Sequence, residues 1–408
     1  MHHTTTHRNV KSIVPIILVL MGLGITTVVQ ADDIQDLVDQ ISEVSYTTYL
    51  RDELYTWDGC DRGFGPHHDL ARNFIESEMT AIGLDTALDP FTYSGNTYYN
   101  VVGILPGDTT PDQIYIVGSH YDSVGNPGAD DNGSGTAGIL EAARVMSQYR
   151  FDSTIVFIAF DREEQGLNGS YAYSIKHQND DIRGMISLDM IAYNPNGSDQ
   201  ALLYGYPASD PHKESLIAAL RDYAGITGFN EGPLDRSDHA PFEWLGFQAC
   251  LLIEYDFWVN PRYHTASDSV DTLDYIDYTY ATQMTKGAVA YLAKEAGLIP
   301  GGPRYALEKP MPGNSGEVNA FVTTGGTSGA QSYFVYGVHD GQTGIHKCPG
   351  MYLDIFEVSV GGHAYADETG RAEFRALVRN AARGRTVLIQ AVEPASCSVS
   401  NLVKFTFN

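Results

Sequence analysis

The 408 residues suffice for one large domain and a small one, or for two of medium size. A hydrophobic content of 43% with 11% aromatics supports a packed core and excludes a disordered chain. The net charge of −26 argues against nucleic acid or an anionic membrane as partner, because both call for a basic face.

In chain order, the first segment reads as an export signal. Arg8 and Lys11 precede an apolar stretch at 13–29, and Val29-Gln30-Ala31 resembles a small-x-small cleavage site. Residues 1–31 are therefore expected to be removed, leaving a secreted or periplasmic protein that is not integral to a membrane. Apolar spacing predicts helices over 33–54 and 67–82, the second ended by Gly83. Strands follow at 97–105 and 113–117, with a turn at Pro106-Gly107. A helix is predicted over 138–149. The segment 153–160 (STIVFIAF) is almost wholly apolar, as a central strand covered on both faces should be. Further strands are expected at 185–190 and 248–253, and helices at 210–224 and 275–296. Strands alternating with helices imply an α/β fold, a mixed but largely parallel sheet sandwiched by helices, over 32–298. A linker at 299–305 (IPGGPRY) leads to short alternating runs at 331–338, 351–360 and 386–392, spaced by Gly, Asp and Asn. These predict a small all-β accessory domain, a β-sandwich, over 306–408, with no catalytic cluster and no ligand that the sequence identifies. Of four cysteines, Cys348 and Cys397 are the expected disulfide pair in an exported chain. Cys250 either pairs with Cys60 or is a buried thiol.

Acids and histidines cluster where strands end. The segment 118–135 (GSHYDSVGNPGADDNGSG) follows one strand and enters a helix. It carries His120, Asp122, Asp130 and Asp131 among glycines that allow tight bends. The segment 161–166 (DREEQG) follows the central strand, Asp189 ends another, and His264 lies beyond the last. The carboxyl ends of parallel strands share one edge, so His120, Asp130, Glu164, Asp189 and His264 are expected to meet there. Two imidazoles and three carboxylates suit two zinc ions if one carboxylate bridges them. Glu163, beside Glu164, is then the candidate general base. His67, His68, His177 and His212 lack such partners in the pattern and are expected at the surface.

Six motifs in order resemble the co-catalytic di-zinc aminopeptidases, a family that includes secreted bacterial leucine aminopeptidases, aminopeptidase Y and glutamate carboxypeptidase. They are GSHYDS at 118–123, GADDNGSG at 128–135, FDREEQGLNGS at 160–170, LDMIAY at 188–193, SDHAPF at 237–242 and YHTASD at 263–268. The resemblance covers 34–298. It implies a zinc-exopeptidase fold and a peptide substrate. It also implies Asp130 as the bridge, His120 and Asp189 at one zinc, Glu164 and His264 at the other, and Glu163 as the base. Asp122 would orient His120, Tyr263 would donate to the oxyanion, and the Asp130–Asp131 peptide would be cis. Asp238, His239 and Asp268 would support the site without binding metal. The alternatives are a carboxypeptidase or dipeptidase of the same family, with Arg236 or Arg262 receiving a substrate carboxylate, a one-zinc glutaminyl cyclase, or an inactive metal-stabilised binding protein. No HExxH, GxSxG or P-loop occurs, which removes the commoner rival machineries.

Overall fold

The computed structural model describes residues 31–55, 61–300, 303–348 and 351–408. The expected signal segment, up to residue 30, and Cys60 lie outside the described residues. Among the described residues no helix is long and apolar enough to cross a membrane.

Eight strands form the main sheet: β1 (Asp85–Tyr93), β2 (Asn96–Leu105), β3 (Thr110–His120), β4 (Ser153–Phe160), β5 (Asp181–Leu188), β6 (Gln200–Tyr204), β7 (Thr227–Asn230) and β8 (Ala249–Glu254), in the order β1-β2-β4-β3-β5-β8-β6-β7. The central strands β4, β3, β5 and β8 are mutually parallel. The flanking pairs β1–β2, β2–β4 and β6–β8 are antiparallel. β4 shows why an apolar run becomes a central strand. Its Ile155, Phe157 and Ala159 enter one core layer, while Val156, Ile158 and Phe160 enter the other. Each such buried side chain contributes roughly 1.5–3 kcal/mol.

Helices α1 (Ala31–Val38), α2 (Glu43–Thr47), α3 (Pro66–Ala81), α4 (Gly135–Met146), α5 (Asn168–Lys176), α6 (Asp210–Ala219), α7 (Ala240–Trp244) and α8 (Tyr278–Glu295) cover the sheet. The single helix predicted over 33–54 is broken. Ser42 is extended and its side chain accepts from the Ser45 amide, so a cap starts a new helix inside the apolar period. Strands β1, β6 and β7 were not legible. β1 contains Pro90 and alternates weakly, while β6 and β7 are only five and four residues long. Two of the histidines expected at the surface are buried. His68 shares a face of α3 with Ala71, Ile75 and Met79 and lies 2.8 Å from Asp161, and His212 bonds the Met185 carbonyl and Tyr291.

Past residue 305 the chain is antiparallel β. A three-stranded sheet contains β9 (Ala306–Leu307), β10 (Val318–Thr324) and β15 (Ala372–Leu377). A larger one contains β11 (Gln331–Gly337), β14 (Ser359–Tyr365), β16 (Thr386–Glu393), β17 (Ser398–Val399) and β18 (Val403–Thr406). Residues of both, among them Leu307, Phe334, Ile389 and Val403, share one core. β12 (His339–Gly344) and β13 (Tyr352–Phe356) form a hairpin. The run predicted over 351–360 is divided between β13 and β14 at Glu357, whose φ is +55°. Cys348 and Cys397 are disulfide-bonded as expected. Cys250 is free and buried in the core, which decides between its two readings.

A buried charge network joins the β-rich part to α4. Arg144 bonds both oxygens of Glu141 at 2.8 Å and lies 3.2 Å from Asp354 of β13. Glu141 also accepts from the Ser42 amide, and Gln390 of β16 donates to Asp354. Truncating Arg144 strands the buried Glu141 charge. Arg144→Leu is expected to cost roughly 3 kcal/mol, read as a lowered denaturant midpoint. An unchanged midpoint would show that the network contributes nothing.

Candidate metal centre

The four parallel strands deliver their ends to one edge. His120 is the last residue of β3, Asp161 to Glu164 follow β4, Asp189 follows β5, and the chain beyond β8 carries His264. The turn 129–134 enters α4 beside them. Two close approaches explain its glycines. Gly128 has φ +62° and a Cβ there would meet the Asp131 carbonyl at 2.5 Å. A Cβ on Gly135 would lie 2.2 Å from the Leu188 carbonyl.

Asp131, not Asp130, stands at the centre. Its Oδ1 is 3.2 Å from His120 Nε2 and its Oδ2 is 3.0 Å from His264 Nε2. Two donor groups result: His120, Asp131 and Asp189 in one, and Asp131, Glu164 and His264 in the other. His120 Nε2 is 3.6 Å from Asp189, and His264 Nε2 is 3.1 Å from Glu164. The expectation for Asp130 is therefore corrected. Its carboxylate turns away, accepting from the Ala192 amide at 3.0 Å and the Asn260 side chain at 3.0 Å. The non-proline cis peptide is likewise Asp131–Asn132 rather than Asp130–Asp131. Neighbouring aspartates in one turn point in different directions, and the motif alone does not say which faces inward.

Two further carboxylates hold the donors in place. Asp122 is 3.5 Å from His120 Nδ1 and accepts the backbone amides of both Glu163 and Glu164, at 3.2 and 3.3 Å. Asp268 does the same for the amides of Asp130 and Asp131, at 2.7 and 3.2 Å. Ser237 fixes Asp189 with a 2.7 Å hydrogen bond to Oδ2, a role sequence reading missed although the residue sits in a quoted motif. Arg162, Met190 and His264, beside or within the donor set, all have positive φ. Such strain in non-glycine residues persists where the surroundings over-determine the conformation.

The electrostatics suit a cation. Asp189 Oδ1 and Glu164 Oε1 are buried with no hydrogen-bond partner, and each belongs to a residue of one of the donor groups. Burial works against charge on Asp131, yet the hydrogen bonds from His120 and His264 bring its carboxyl down to about 2. Burial, then the Asp131 charge, lifts Glu164 to about 7, and burial raises Glu163 well above the carboxylate range against the pull of His120. Hydrogen bonds to Asp131 and Glu164 raise His264 to about 10. Crowded carboxylates with imidazole nitrogens and orphaned oxygens fit divalent zinc, which takes nitrogen and oxygen donors.

Glu163 reaches into the same space, 3.9 Å from His120 Nε2. Tyr263 stacks its ring on His264 at 3.8 Å and lines the cavity. Asp238 and His239 are buried and join neither donor group. The cavity, about 140 Å3, has two halves. Asp131, Glu163, Glu164, Asp189, Arg236, Asn260 and Tyr263 make the polar one. Met190, Leu234, Leu251, Ile253, Phe257 and Trp258 make the apolar one. Alternation along β8 turns Leu251 and Ile253 to this side and Cys250 and Leu252 to the main core.

Comparison with known proteins bears on the family and the fold. The model of the family described as Peptidase family M28 matches residues 100–292. Leucine aminopeptidase 1 of Ajellomyces capsulatus (strain H88) is 30% identical over 271 residues, covering 61% of this chain and 68% of that protein. The chain spans about 60% of the length of two other proteins of that name, from Paracoccidioides brasiliensis. Among solved structures, the LapA aminopeptidase of Legionella pneumophila superposes with a TM-score of 0.58 at 21% identity, over 66% of this chain and 76% of that one. A glutaminyl cyclase of Bacteroides thetaiotaomicron, bound to N-acetylhistamine, gives 0.53 at 19% identity, over 63% of this chain and 99% of that one. At such identities the two solved structures speak to the fold alone.

The reassignment of the bridge has a direct test. Asp131→Asn is expected to lose bound zinc, whereas Asp130→Asn, which alters only the contacts to Ala192 and Asn260, is expected to keep both ions with at most one of them weakened. Metal analysis of the purified variants decides, and the reverse pattern would restore Asp130.

Proposed function

This chain belongs to peptidase family M28, and we propose that it is a secreted, zinc-dependent aminopeptidase that removes N-terminal residues from peptides. Residues 32–298 would carry the activity and 306–408 would be an accessory part. The observation that carries the reading is Asp131, whose two oxygens are each shared with a histidine of a different donor group. That arrangement supports two ions held by His120, Asp131 and Asp189 and by Asp131, Glu164 and His264. Bound there, zinc would supply Lewis acidity toward the scissile carbonyl and lower the pKa of an attacking water.

The chain's own residues divide the remaining work. Glu163 accepts the proton of the attacking water and returns it to the leaving amine. The Asp122 contacts to the Glu163 and Glu164 amides fix which of these neighbours faces the reacting atoms. Tyr263, beside His264 at the cavity edge, is placed to donate to the oxyanion. The aminopeptidase reading rests on the family and on the names of its curated relatives, while Arg236 in the cavity wall keeps the carboxypeptidase alternative open. Donors for both ions favour the peptidase over a one-zinc cyclase, which the shared fold does not separate.

Three measurements follow. Glu163→Gln is expected to lower turnover roughly 10²–10⁴-fold with zinc content unchanged. Cleavage by the unaltered protein should need a free N-terminus and stop with a zinc chelator, while equal cleavage of acetylated peptides would rule out an aminopeptidase. The apolar half of the cavity sets the third. Leucyl and methionyl substrates should exceed aspartyl and lysyl ones by about tenfold or more in kcat/KM, and a flat series would show that this half does not receive the side chain.

A further inference from the structure

We propose that Asn260 is a positioning residue of the metal centre, joining the loop that bears His264 to the turn that bears Asp131. The inference rests on the two-metal reading above. Asn260 is only 8% exposed and lies in the cavity wall. Its Nδ2 donates to Asp130 Oδ2 at 3.0 Å and to Glu254 Oε1 at 3.1 Å, with the Tyr275 hydroxyl at 3.3 Å. Its Oδ1 accepts the Arg262 amide at 3.0 Å, which shapes the turn leading to His264. The two acids it bridges are themselves tied to the chain after β5. Asp130 accepts from the Ala192 amide and Glu254 from the Tyr193 amide at 2.7 Å. One side-chain amide thus stands where the chain after β5, the end of β8 and the turn before α4 converge.

His264 lies four residues after Asn260 and four before Asp268. Asp268 grips the backbone of the Asp130–Asp131 turn, while Asn260 grips the Asp130 side chain. His264 has φ +56° and is exposed, so burial does little to hold its position. The clasp at either side does that work, and it keeps His264 Nε2 at 3.0 Å from Asp131. Removing the Asn260 donor leaves Asp130 and Glu254, both fully buried, facing each other with one partner fewer. The turn and the His264 loop are then free to separate. Asn260 belongs to neither donor group, so its effect is exerted through them.

The test is a zinc titration of the metal-free full-length protein against a chromophoric chelator. Asn260→Asp keeps the shape and removes the donor. The unaltered protein should bind two zinc ions tightly. The variant should keep one affinity and weaken the other roughly 10–100-fold, with kcat reduced more than KM is raised and the metal-free melting temperature changed by only a few degrees. Two tight affinities within threefold of the unaltered protein would overturn the proposal, as would a large fall in metal-free melting temperature with both affinities intact. If Asn260→Asp does not fold, Asn260→Ala, which removes the donor without adding a charge, is titrated with the same two readings. Failure of the unaltered protein to take up two ions would instead sink the two-metal reading.

Discussion

The Asp131 carboxylate lies between His120 and His264, about 3 Å from each, and the geometry of the site follows from it. His120 ends a strand of the sheet, whereas His264 comes from a long loop beyond β8. A single carboxylate shared between them fixes the distance between the two donor groups. It can do so only if its own backbone is immobile. The chain achieves this with hydrogen bonds from the turn's amides to Asp268 and with a left-handed glycine, Gly128, at the entrance. Asp122 repeats the device for Glu163 and Glu164. Each supporting carboxylate takes a pair of successive amides, so the position of the donors depends on backbone rather than on flexible side chains.

This arrangement is costly in isolation. Four carboxylates line a space of about 140 Å3, and two of their oxygens are buried without partners. In a low-dielectric site like charges at such range strongly oppose one another. Burial first, and then the neighbouring acids, raise Glu163 and Glu164, while hydrogen bonds to Asp131 and Glu164 raise His264. The stability that tolerates it comes from elsewhere. Two apolar layers pack the sheet from both sides, and β3, β4, β5 and β8 end at one edge because they run parallel. The sheet therefore holds together groups that would otherwise separate.

Helix α4 links this edge to the rest of the molecule. Its first turn follows directly on the 129–134 segment, and Arg144 near its other end reaches Asp354 in the β-rich part. The β-rich part has its own apolar core and a disulfide. Its contact with α4 includes a partly buried ion pair between Arg144 and Asp354. That kind of contact specifies one docking geometry because each charge must find its partner.

Much of this was legible before the fold was known. A continuous apolar run such as STIVFIAF has no soluble alternative to a central strand, and parallel strands place their ends together, so His120, Glu163, Glu164, Asp189 and His264 could be assigned to one edge from order alone. Loops at those ends carry chemistry because nothing in the core competes for their side chains. Short or irregular strands such as β6 and β7 carried too few residues to show a period, and the buried face of α3 was overlooked although His68, Ala71 and Ile75 are spaced to share it. The sequence by itself determined the fold class, the edge and the kinds of group gathered there. Only the tertiary structure decided that Asp131 rather than Asp130 faces both histidines, and that Asn260 and Ser237 support them. Which way a side chain points in a tight turn depends on the backbone angles and on partners 60 to 130 positions away, such as Ala192 and Asn260 for Asp130. No local pattern of residues encodes those partners.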